Sequence, residues 1–96
     1  MLQQVTVTSG SNAPLKPLLE SAIRGELKTL AHGIARTRER LAAFEQQYGM
    51  TSPDFERRFA ARELGESLDF IEWLGEIKTL RLLEDRQRTL SEAQIA

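Results

Sequence analysis

Asp69, Glu72 and Glu76 recur at three- and four-residue spacing, with Glu63 and Glu66 just before them. On a helix this spacing stacks the carboxylates along one side, close enough to share a cation or to repel one another. A metal centre in a helical bundle draws Glu-x-x-His pairs from several helices, and no histidine lies in this region. The reading is therefore a solvated acidic face beside Trp73, or an acidic docking face for a basic partner formed by Glu66, Asp69, Glu72 and Glu76. His32 is the single histidine. A serine-type triad would need a nucleophile on a strained turn, and no such turn pattern occurs, so His32 is read as a packing or surface residue.

Two arginine groups are the candidates for nucleic acid. Arg36, Arg38 and Arg40 alternate along the chain, which scatters them around a helix. Arg57, Arg58 and Arg62 are better focused, since Arg58 and Arg62 stand one turn apart. Acidic residues interleave with them, and no zinc finger, RNP motif or basic zipper is present. Trp73, among Phe70, Ile77 and Leu80, reads as core. Neither a phosphate-binding loop nor a dinucleotide fingerprint occurs. No cofactor is expected, and the reading is non-enzymatic.

The 96 residues make one small domain in which 41% hydrophobic and 28% charged residues suit a folded, soluble chain. The formal charge of -1 carries no global attraction for nucleic acid or an anionic membrane. The absence of cysteine removes disulfides and thiolate chemistry and suits a reducing compartment. With neither a signal-like start nor a long apolar run, the expected location is cytoplasmic.

The organising element is a seam. Ile23, Leu27, Leu30, Ile34, Leu41, Phe44 and Tyr48 fall in alternating four- and three-residue steps, with Thr37 as the one polar member. Such a seam needs another helix along it, from this chain or from a second copy. The helix carrying it is expected to start near Pro14, or to settle after Pro17, with Ser11 or Asn12 as cap. It ends at Gly49, for about 34 residues or about 50 Å at 1.5 Å per residue. A second helix is expected over about 53–63, capped by Thr51, with Asp54 at its third position, Met50 stapled to Phe55 and Gly65 as its stop. Phe55 and Phe59 then plug one end of the hairpin. The third runs from a Ser67 cap to about Thr89, and its apolar stripe is wide enough to meet more than one neighbour. Residues 1–12 form an arm in which Val5 and Val7 alternate with Thr6 and Thr8. The arm is either a loose tail or a strand that joins a second copy or a partner's sheet edge. Residues 91–96 are expected to fray.

From Tyr48-Gly49-Met50-Thr51-Ser52-Pro53-Asp54-Phe55-Glu56-Arg57-Arg58-Phe59, and Glu63-Leu64-Gly65-Glu66-Ser67-Leu68-Asp69-Phe70-Ile71-Glu72-Trp73 after it, the chain resembles a group of small bacterial and archaeal helical proteins. In these a helix ending in tyrosine-glycine leads to a short helix, an acidic Leu-Gly turn and an aspartate-phenylalanine, glutamate-tryptophan helix. The resemblance covers roughly the last half of the chain plus the heptad character before it. Members often look like the antitoxin of a two-gene toxin–antitoxin pair, which implies a small basic toxin-like partner and transfers no catalytic residue.

The expectation is thus an all-α, coiled-coil-like antiparallel hairpin with a short connecting helix, residues 13–96, dimerising into a bundle. It would act as an antitoxin-like neutraliser. Two alternatives stand beside it: a self-associating coiled-coil scaffold, and a small regulator that binds DNA through Arg57, Arg58 and Arg62.

Overall fold

The computed structural model describes residues 3–5 and 14–95, in the order β1 (Gln3–Val5), α1 (Leu15–Tyr48), α2 (Ser52–Ala60), α3 (Leu68–Ser91) and β2 (Ala93–Ile95). The seam of α1 meets α3 of the same chain. Leu30, Ile34, Thr37 and Leu41 are buried, and Ile23, Leu27, Phe44 and Tyr48 are half-buried. The hairpin is antiparallel, because Gln47 reaches Asp69, Arg40 reaches Glu76 and Arg38 reaches Glu84. One chain therefore satisfies the seam that the sequence left open to a second copy. At Gly33 the side chain of Leu83 comes close to α1: a Cβ built there would sit 3.3 Å from Leu83 Cδ1.

Each helix end has a local cause. α1 starts at Leu15, ahead of Pro17, because the first four N–H groups of a helix have no intrahelical acceptor and a proline in that turn removes nothing. Pro14 is its cap residue and makes no side-chain cap hydrogen bond; the expected caps Ser11 and Asn12 lie outside the described residues. Gly49 ends α1 at φ 66°, with its N–H on the Glu45 carbonyl. Thr51 Oγ1 accepts from the Asp54 N–H at 3.2 Å, and Ser67 Oγ accepts from the Phe70 N–H at 3.1 Å, as the spacing predicts.

α2 stops at Ala60, short of the expected Glu63, and its stop is not Gly65. Arg62 takes the left-handed position at φ 60°. The Glu63 N–H then bonds the Arg58 carbonyl and the Arg62 N–H the Phe59 carbonyl, a Schellman closure with arginine where glycine is usual.

The core gathers at the α2 end of the hairpin. Phe55 and Trp73 are fully buried and stacked, with ring centroids 4.0 Å apart and planes 1° apart. Phe44 and Tyr48 stack on the indole from α1, and Phe59 and Phe70 close the outside. Met50, the expected staple, packs against this cluster. Phe55 and Phe59 do close the end of the hairpin. A bidentate Arg81–Glu56 pair, 2.5 and 2.7 Å, ties α3 to α2.

At the other end the termini correct two expectations. β1 and β2 pair in parallel, Gln3 with Ala93, Gln4 with Gln94 and Val5 with Ile95. The N-terminal strand thus finds its partner within the chain. The residues expected to fray continue α3 to Ser91 and then form β2. Val7 and the Ser9–Ser11 break lie outside the described residues.

Candidate functional site

The expected acidic face divides into residues that hold the fold and residues that face solvent. Asp69, in the first turn of α3, accepts from the Tyr48 hydroxyl and from Gln47 Nε2 at 3.4 Å. This carboxylate, first through the hydrogen bond, raises the Tyr48 hydroxyl above its ordinary pKa. Asp69 therefore pins α3 to the end of α1. The neighbouring junction uses the same economy: Glu45 accepts the Ser52 N–H at 2.6 Å, and Ser52 Oγ accepts the Trp73 indole N–H at 2.9 Å. Much of the stretch from Tyr48 to Trp73 serves to join one helix to the next.

Glu72 and Glu76 stay on one side of α3, beside a groove of about 560 Å³ against α1. Arg40, Phe44 and Gln47 stand on the α1 wall, and Glu72, Gly75, Glu76 and Thr79 form the α3 wall. Glu76 Oε1 lies 3.5 Å from Arg40, with the Glu76 side chain 23% exposed. Its other oxygen, Oε2, is shielded from solvent and has no hydrogen-bond donor. Glu72 is exposed. Glu66 does not share this face, because it precedes α3 and lines a separate depression with Phe59, Arg62 and Leu64. The sequence spacing could place Glu72 and Glu76 on one side. It held no signal that a single carboxylate oxygen would lack a donor.

The arginines also separate. Arg57 is paired with Asp54 at 2.5 Å, and this carboxylate raises the guanidinium pKa. Arg58 lies 3.8 Å from the Met50 sulfur, partly buried, and Arg62 stands exposed at the left-handed turn. Of the three, Arg57 is held in an ion pair and Arg58 is half-buried. On α1, Arg38 and Arg40 pair with Glu84 and Glu76. His32 is exposed, in a shallow depression with Glu39 and Arg86.

Among the described residues no group of three or more His, Cys, Asp or Glu side chains could hold a metal ion, and no helix is long and apolar enough to cross a membrane. Comparison of the chain with protein-family models, curated proteins and solved structures finds no match.

Proposed function

We propose that the protein is a non-enzymatic interaction protein, an antitoxin-like neutraliser that docks a basic partner protein on the acidic groove between α1 and α3. The observation that supports this reading is Glu76 Oε2, a carboxylate oxygen out of solvent and without a donor, beside the exposed carboxylate of Glu72. A buried acceptor left unpaired costs roughly 1–3 kcal/mol. An arginine or lysine of a partner, entering the groove, removes that cost and adds a charge-assisted hydrogen bond. The mechanism is occlusion: the groove covers a basic, nucleic-acid-handling surface of the partner.

The test begins with a nuclease-treated pull-down of the tagged protein at native level from its host, with stoichiometry read by mass spectrometry. A small basic protein recovered in near-equal amount is expected. Glu76→Gln should then speed dissociation, and Glu72→Lys should mainly slow association and change its salt dependence. Unchanged affinity of both variants at low salt would overturn the groove as the docking site.

A further inference from the structure

We infer that the solvent face of α3 is a second interface, one that takes the same face of another copy of this chain, antiparallel and crossing at Gly75. This goes beyond the groove proposal: its apolar residues, Leu68, Ile71 and Leu82, take no part in the groove, while Glu72 and Gly75 border both. Leu68, Ile71 and Leu82 are 74%, 58% and 50% exposed. Leu68, Gly75 and Leu82 follow one another at seven-residue steps, so they share a line on the side of α3 away from Trp73 and Ile77. A line of large apolar residues on the outer side of a hairpin helix, while the inner side already packs on α1, marks a contact that one chain leaves open.

Gly75 sharpens the point. Glycine inside a helix costs about 1 kcal/mol relative to alanine. In α1 the close approach of Leu83 accounts for Gly33, whereas a Cβ built on Gly75 meets nothing within 4 Å. Gly25 also has open space above it. The residues seven positions either side of Gly25 are Leu18 and His32, so it does not sit between two large apolar side chains. At Gly75 the missing side chain lies midway between Leu68 and Leu82, where two helix backbones could approach closely.

Charge selects the occupant and its direction. Residues 63–77 carry Glu63, Glu66, Asp69, Glu72 and Glu76 and no lysine or arginine. Residues 78–88 carry Lys78, Arg81, Arg86 and Arg88 against Glu84 and Asp85. The members outside the ion pairs and exposed are Glu63, Glu66 and Glu72 before Gly75, and Lys78 and Arg86 after it. An antiparallel copy sets the acidic half against the basic half twice, whereas a parallel copy sets like on like. A two-fold axis at Gly75 also brings Leu68 level with Leu82 of the second copy, since each stands seven residues from the crossing. The face is complementary to itself, as an isologous interface requires.

Sedimentation equilibrium of the full chain, from low to high micromolar, should show a monomer–dimer equilibrium. Ile71→Lys with Leu82→Lys should raise the dissociation constant at least a hundredfold while leaving far-UV circular dichroism and Trp73 fluorescence unchanged, because both side chains point to solvent. The cysteine-free chain permits a test of direction. Under oxidation, a mixture of Leu68→Cys and Leu82→Cys chains should cross-link, and Leu82→Cys alone should not, since two such residues would lie about 21 Å apart at 1.5 Å per residue. A monomer at all concentrations, or a dimer indifferent to the lysine pair, overturns the interface. Efficient cross-linking of Leu82→Cys alone overturns its direction.

Discussion

Ser52→Ala should destabilise the protein by about 2 kcal/mol, even though it removes a single oxygen from a residue that sits at the start of α2. Trp73 is fully exposed to no solvent at any edge, and its indole N–H has Ser52 Oγ as acceptor at 2.9 Å. Removing that oxygen strands a buried donor, which costs about 1–3 kcal/mol. The Ser52 N–H keeps its bond to Glu45, so the start of α2 is not otherwise disturbed. For a domain of this size a loss of 2 kcal/mol lowers Tm by roughly 8–16 °C. Urea unfolding at fixed protein concentration, followed by circular dichroism, measures the change, and Trp73 fluorescence reports the lost hydrogen bond directly. The decisive control is the cycle with Trp73→Phe. With no indole N–H to strand, Ser52→Ala should become nearly neutral in that background. Equal losses in both backgrounds, or a loss below about 0.5 kcal/mol in the native chain, would refute the reasoning.

Arg62→Gly should stabilise the fold by roughly 1 kcal/mol, because a left-handed backbone costs an L-residue about 1–2 kcal/mol and glycine gives back part of this in unfolded-state entropy; a lower urea midpoint in the variant would contradict it. Tyr48 is the one tyrosine, so an absorbance titration reports it alone and should place its midpoint above 10 in the folded chain, where the Asp69 carboxylate holds the hydroxyl protonated. A raised folded pKa means that the stabilisation is complete below pH 10 and is lost as pH climbs through the folded value. Tyr48→Phe should flatten that alkaline decline in Tm, and identical slopes in the two proteins would sink the assignment.

Local signals in this chain were readable because their causes are local. Thr51 and Ser67 cap because a hydroxyl one residue before a helix reaches the N–H three positions on. Gly49 closes α1 because a left-handed residue satisfies the last carbonyls. The seam from Ile23 to Tyr48 has a period that only a packed helix explains. Arg62 escaped the reading because glycine is the usual left-handed residue and Gly65 stood three positions later. The cis-chain pairing of β1 with β2 escaped it too, because strand partners far apart in sequence leave no mark in either segment.

What the sequence determined by itself was therefore the set of helices, the caps at Gly49, Thr51 and Ser67 and the side of α1 that must be covered, since periodicity and capping act over four residues or fewer. Tertiary structure alone decided what each charge does. Asp69, Glu72 and Glu76 are alike in type and spacing. Once α3 lies antiparallel on α1, Asp69 meets Tyr48, Glu76 is drawn against Arg40 with one oxygen shielded from any donor, and Glu72 is left in water. A carboxylate's role depends on which donors the opposite helix brings within hydrogen-bond reach and on how much water remains there, and both are properties of the packed pair.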